Sequence, residues 1–327
     1  MTHAAPFAEV WRGPFLESVH HGHAVICDAS GQIVEAWGNP DQVILPRSSA
    51  KMIQALPLIT SGAADAARLS EAQLALACAS HQGAALHTDA VHEWLKTLDL
   101  GPAALRCGPQ EPSDRTAMEG LVRTKEPPCQ VHNNCSGKHT GFLTLSKHLN
   151  SGPEYLDLDH PVQRACLEAF ERVTDAPSPG HGIDGCSAPN FATTLHGMAR
   201  AMAHFAAAPD GSAEARLHQA MRRYPAHVAG DGRACTELMQ ATGGTIALKT
   251  GAEGFFIAIL PEQKLGIALK AACGTTRAAE CAIAALLVRL GALEAAHPAT
   301  LKRMNAPIRN WRGIRTGTLC PAQALLA

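Results

Sequence analysis

The chain has 327 residues, of which 46% are hydrophobic and 17% charged, enough apolar material for a large core and too much for a disordered chain. The formal net charge is -1 and the 19 Arg and 9 Lys are scattered. That excludes an electrostatic footprint for nucleic acid or an acidic membrane and leaves small molecules as the expected partners. Met1 to Val10 shows no basic start followed by an apolar core, and no stretch stays apolar for the ~20 residues a bilayer span needs, so a cytosolic location is expected. With no export signal, the 11 cysteines are expected to be reduced. Cys78, Cys166 and Cys281 lie in apolar helical patterns and read as small core residues.

From Phe7 to Trp37, β-favouring residues predict two or three antiparallel strands. They are interrupted at His21-Gly22-His23 and turned at Asp28-Ala29-Ser30-Gly31. Helical patterns follow over Ser48 to Thr60, Ser70 to Ala79, Thr88 to Leu98, Ser136 to Leu149, Pro161 to Val173, Phe191 to Ala207 and Gly232 to Ala241, with Thr88, Ser113 and Ser136 as cap residues. Thr245 to Thr250, Gly254 to Leu260 and Leu265 to Lys270 then read as three meander strands, followed by a long helix over Thr275 to Leu290. Strands at both ends with helices between them predict an α+β fold. One antiparallel sheet is assembled from both chain ends, with a helical region inserted, the layout of serine β-lactamases and penicillin-binding proteins. The expected organisation is a single catalytic unit over 1-327, with a sheet region at 1-45 and 242-327 and a mainly helical region at 46-241.

Arg47-Ser48-Ser49-Ala50-Lys51 opens a helical run. Residues at i and i+3 share a helix face, so Lys51 is placed to reach the Ser48 hydroxyl, and the helix N-terminus offers N–H groups to an oxyanion. Serine alone is a poor nucleophile; a lysine that can surrender its proton can take one from serine. The alternative is a plain N-cap beside a surface lysine. Lys249-Thr250-Gly251, on the first meander strand, favours chemistry, because a Lys-Thr-Gly triad accompanies Ser-x-x-Lys in penicillin-recognising enzymes. Ser80-His81-Gln82-Gly83 supplies a third polar element, or else only a capped helix end.

His132-Asn133-Asn134-Cys135-Ser136-Gly137-Lys138-His139 concentrates metal-capable groups in one loop leading to a helix, and His181 to Asn190 carries Cys186 beside Asp184. Three readings fit these residues: zinc ligation, a thiol nucleophile at Cys135 with His139 as base, or a structural loop with buried cysteines.

In order, Arg47-Ser48-Ser49-Ala50-Lys51, Cys78-Ala79-Ser80-His81, His132 to His139, Gly182-Ile183-Asp184-Gly185-Cys186 and Lys249-Thr250-Gly251-Ala252-Glu253-Gly254 resemble the blocks of the rhizobial-type L-asparaginases, from Glu9 to about Ala292. The resemblance implies a fold similar to serine β-lactamases and glutaminases, a homodimer, and hydrolysis of L-asparagine to L-aspartate and ammonia. It carries two Ser-Lys pairs onto this chain, Ser48 with Lys51 and Ser80 with Lys249, and a Zn2+ site onto Cys135, Lys138 and Cys186. Arg47, His139 and Asp184 adjoin these residues as holders of the substrate's α-carboxylate or α-amino group. The alternatives are a glutaminase or other amidase on the same fold and, outside catalysis, a zinc-containing amino-acid-binding module. The segment after Ala296 matches none of the blocks.

Overall fold

The structure is a computed structural model that describes residues 3–326. Its strands, in chain order, are β1 (Ala5–Arg12), β2 (Phe15–Cys27), β3 (Ile33–Trp37), β4 (Val43–Ile44), β5 (His181–Ile183), β6 (Pro189–Phe191), β7 (Thr193–Thr194), β8 (Ala247–Gly251), β9 (Phe255–Leu260), β10 (Leu265–Ala271), β11 (Ala306–Arg309) and β12 (Arg315–Pro321). The chain divides into two compact units. One holds Met1–Ser49, Thr193–Ala208 and Glu237–Ala327; the other holds Ala50–Ala192 and Pro209–Thr236.

The first unit is built on an eight-stranded antiparallel sheet in the order β11-β12-β1-β2-β10-β9-β8, with β3 also paired to β2. The fold is therefore α+β, and its sheet is assembled from strands at both ends of the chain. Every residue of β9 is buried, so both faces of the sheet centre are covered. Helices Leu195–Ala207 and Thr276–Arg289 pack on β9 and β10. At Gly266 the first of these helices lies so close that a Cβ would fall 2.0 Å from the Ala203 nitrogen.

Sequence and structure differ in the first unit at two instructive places. His21-Gly22-His23 does not interrupt the first hairpin, because β2 runs unbroken for 13 residues. Gly22 is required there for close approach, not for a turn: a Cβ would lie 2.4 Å from Phe7 Cε2 and 2.5 Å from the Lys270 carbonyl oxygen. The second is the segment from 297 to 326, for which the motif blocks offered no reading. It forms the helix Pro298–Met304 and then β11 and β12, and β12 completes the sheet beside β1 through pairs such as Glu9 with Cys320.

The second unit is mainly helical. Ser70 caps Glu71–Ala77 with a reciprocal capping box to Gln73, and Ser136–His148 forms a central helix buried from Ser136 to Ser146. That helix seats against the backbone at Leu76 because Gly137 has no side chain; a Cβ would meet the Leu76 carbonyl oxygen at 2.4 Å. The expected caps at Thr88, Ser113 and Ser136 are displaced. Ala84, Asp114 and Cys135 hold the N-cap positions, and only Asp114 caps with its side chain, accepting from the Ala117 N–H at 2.8 Å. In the first unit, the helix expected from Phe191 begins at Leu195, directly after β7, with Thr194 as its cap.

Candidate active site

In the sheet unit, Arg47–Ala50 forms a single 3-10 turn after Pro46. Arg47 sits at φ 52, a left-handed conformation that a side chain tolerates at some cost, and the turn is pinned from beneath. The Ser49 N–H donates to the Pro46 oxygen at 3.1 Å, and the fully buried Ser49 hydroxyl donates to the Lys249 carbonyl oxygen at 2.9 Å. Gly251, two residues along β8, leaves room for the Pro46 oxygen, which would lie 2.6 Å from a Cβ. Ser48 itself remains half-buried. Lys249 is 1% exposed, and its Nζ donates to the Thr250 oxygen at 2.9 Å. After β8 the chain turns through Glu253 (φ 58) and Gly254 (φ 69), a pair of positive φ values suited to a tight hairpin. Ala252 belongs to that turn and not to the strand.

The helical unit holds Lys51, also 1% exposed. Its Nζ donates to the Ala79 carbonyl oxygen, to Ser80 Oγ at 2.9 Å and to Cys135 Sγ at 3.0 Å. Ser80 follows the end of the helix Glu71–Ala77, where its N–H donates to the Val228 oxygen at 2.9 Å and the His81 N–H to the Asn134 oxygen at 3.1 Å. His81 is not a solvent-facing helix end. It is 1% exposed, its Nε2 lies 2.9 Å from Ser136 Oγ, and it stacks on His87.

Lys51 thus joins Ser80 to the cysteine loop. Asn133 shapes that loop: its Oδ1 accepts the Cys135 N–H at 2.9 Å, while its amide donates to the Cys107 and Gly108 oxygens at 3.0 and 3.1 Å. Cys186 arrives on the hairpin between β5 and β6, whose turn closes with the Asp184 N–H to the Ala188 oxygen at 2.9 Å. Lys138 Nζ lies 3.1 Å from Cys186 Sγ and 5.2 Å from the centre of the Phe142 ring.

Charge is distributed unequally over this cluster. The Cys135 thiol faces both Asn134 Oδ1, at 2.8 Å, and the Cys186 sulfur. Its hydrogen bond holds the Cys186 thiol well below the usual thiol range against the opposing effect of burial, with Lys138 and His139 adding to the shift. The same contact, with burial, pushes Cys135 up. Burial lowers Lys138, but the sulfurs of Cys186 and Cys135 outweigh it and raise the ammonium above its ordinary range, with Asp184 contributing. Burial carries His139 down to about 4, so its ring is neutral at neutral pH.

Cys135, Lys138 and Cys186 fit a zinc ion by donor chemistry: two sulfurs and one nitrogen, all buried, with Lys138 giving up its proton on binding. Zinc–sulfur and zinc–nitrogen bonds of about 2.3 and 2.0 Å set a tetrahedral edge of about 3.5 Å, so the 3.1 Å between Lys138 and Cys186 needs only a small widening. Among the described residues no group of three or more His, Cys, Asp or Glu is placed to hold a metal. The set therefore depends on Lys138 as its third donor.

Residues 8–321 match the family described as L-asparaginase II. The chain belongs to the L-asparaginase II family. This is a family of amidohydrolases, and the expectation drawn from the motif blocks is met at that level. Among solved structures, Mglu in its tris and glutamate form aligns with a TM-score of 0.48 at 12% identity, over 90% of this chain and 64% of that one. A β-lactamase from Mycobacterium bovis aligns with a TM-score of 0.42 at 13% identity, over 79% of this chain and 89% of that one. The chain thus spans 64% of the length of Mglu. No curated protein matches it. No helix among the described residues is long and apolar enough to cross a membrane.

In this L-asparaginase II family member, two residues that support the candidate site carry no role in the sequence motifs. Ser49 lies inside a motif that gives it no role, and Tyr155 lies in no motif. Tyr155 is fully buried, its hydroxyl lies 3.0 Å from His139 Nδ1, and it accepts the Arg106 N–H at 2.6 Å. The available signal was rarity, since the chain has only 2 Tyr. A lone tyrosine in a polar loop has reason to place its hydroxyl against a partner.

Proposed function

We propose that this protein hydrolyses L-asparagine to L-aspartate and ammonia, with Ser48 as nucleophile. Ser48 Oγ bonds to the side-chain carboxamide carbon, the C–N bond breaks, ammonia leaves with the proton taken from serine, and water then hydrolyses the Ser48 ester. Lys51, Ser80 and Lys249 handle the protons. Main-chain N–H groups at Ser48 and Ala252 are the donors assigned to the developing oxyanion. Arg47, His139 and Asp184 supply the charges and hydrogen bonds for the α-carboxylate and α-amino groups. The reading rests on one observation above the others: the Lys51 amine lies 2.9 Å from the Ser80 hydroxyl inside the protein, a hydroxyl–amine unit that a surface lysine beside a helix cap would not form.

Cys135, Lys138 and Cys186 are the residues that would hold zinc. A bound zinc ion would supply a Lewis acid, with a fourth position open to water or substrate. The working form is proposed to be a cytosolic homodimer. The experiment is ammonia release from asparagine, glutamine and a β-lactam, with and without chelator, alongside elemental analysis of Cys135→Ala and Cys186→Ala. The expected result is turnover of asparagine ahead of the other two, and zinc below one per chain in both variants. A preference for glutamine would move the reading to a glutaminase, and full zinc in both variants would remove those ligands.

A further inference from the structure

The tip of the β8–β9 hairpin, Ala252-Glu253-Gly254, is held from β10 as well as by its own strands. The Ala271 N–H donates to the Gly254 oxygen at 2.9 Å. Just past β10, Gly274 makes room for Glu253, since a Cβ there would lie 2.9 Å from Glu253 Oε2. A side chain adds to this backbone support: Lys270 Nζ donates to the Glu253 carbonyl oxygen. In β10, Gly266 to Leu269 and Ala271 are buried, and Lys270 alone between them is half-buried. A lysine stem can lie along apolar surface while its ammonium reaches a polar partner.

On its other side the hairpin meets the turn that carries Ser48. A Cβ at Gly251 would lie 2.6 Å from the Pro46 oxygen and 3.0 Å from Ser49 Oγ, and that hydroxyl donates to the Lys249 oxygen at 2.9 Å. These contacts fix β8 as far as Gly251. The next residue is Ala252, whose N–H is assigned to the oxyanion, and after it comes Glu253 at φ 58. A residue with a side chain keeps that left-handed conformation where its surroundings over-determine it. We propose that Lys270 is a positioning residue for the hydrolysis: it clamps the hairpin tip from β10 and so keeps the Ala252 N–H in place beside Ser48 as negative charge develops on the substrate oxygen. A donor already in position costs no reorganisation in the transition state. Lys270 itself does not touch the reacting atoms. Its clamp lies at the tip, whereas β9 behind it is buried throughout and paired on both sides, so the fold survives without it.

The test compares Lys270→Met and Lys270→Arg in the full-length enzyme. The kinetic arm rests on the asparaginase reading. In Lys270→Met, kcat for asparagine is expected to fall about 10- to 100-fold, with KM little changed and the unfolding midpoint in place. Lys270→Arg keeps an N–H donor of similar reach and is expected to restore most of that loss. An unchanged kcat in Lys270→Met would overturn the proposal. So would a rise in KM as the main effect, which would make Lys270 a binder of substrate charge, or an equal loss in both variants, which would show that the hydrogen bond is not what matters. The second arm needs no substrate: amide hydrogen exchange over residues 251–256 is expected to quicken in Lys270→Met and not in Lys270→Arg. Exchange unmoved in Lys270→Met would remove the clamp. Wild-type protein inactive on asparagine, with the tip still loosened in Lys270→Met, would count against the substrate alone.

Discussion

Ser48→Ala is expected to lower asparagine turnover by about 10³-fold or more while leaving the fold intact. The hydroxyl is half-buried, and the turn that carries it is held by its neighbour, through Ser49 Oγ on the Lys249 oxygen. Removing one oxygen atom from Ser48 therefore takes away the attacking group without loosening its support. Lys51→Met is expected to match that loss and also to weaken the protein. It removes the amine that the Ala79 oxygen, Ser80 Oγ and Cys135 Sγ together receive inside the core. Each buried polar group left unmatched costs about 1 to 3 kcal/mol. Steady-state rates with thermal unfolding curves separate the two effects. Near-wild-type turnover in Ser48→Ala would dismiss it as nucleophile; an unmoved unfolding midpoint in Lys51→Met would contradict the hydrogen-bond network.

The second large effect is expected at Lys249. Lys249→Met removes an amine from a residue that is 1% exposed on β8, and activity is expected to fall by at least about 10²-fold. Lys249→Arg distinguishes charge from proton transfer. Arginine keeps the positive charge but does not release a proton at ordinary pH, so a purely electrostatic role survives the change and a proton-transfer role does not. The expected outcome is that both variants fail. Because arginine is bulkier in a packed strand, its unfolding curve must accompany the kinetics. If Lys249→Arg retains rate and pH profile, the residue supplies charge alone; if both variants do so, it belongs to the strand and not to the chemistry.

What could be read beforehand followed from periodicity and from the side chains that perform chemistry. Residues 247–271 alternate or run apolar between short turns, and the three strands fall within about two residues of expectation. Other features depend on what lies opposite in space. Gly22 looks like a break until Phe7 and the Lys270 oxygen are seen against it. β11 contains Pro307 and alternates intermediate with exposed residues, so little in it marks a strand; its existence follows from its pairing with β12. The candidate residues divide in the same way. Ser48, Lys51, Ser80, Cys135, Lys138, Cys186 and Lys249 carry distinctive chemistry and stood out by type and spacing. Ser49, Asn133 and Tyr155 act through hydrogen bonds to distant backbone and rings, which no local pattern encodes.

The pairing of β1 with β12 also constrains how the protein is made. Glu9 and Cys320 lie 311 positions apart, so the first strands leave the ribosome long before the partner on their outer side exists. Most of the helical unit, residues 50–192, is contiguous and can close on itself in the meantime. During synthesis β1 and β2 form a hairpin whose two outer edges wait for β12 and β10, an invitation to pair with a neighbouring nascent chain. Pulsed hydrogen exchange during refolding should find the amides of the helix Ser136–His148 protected before those of β1, with the reverse order ruling out this sequence of events.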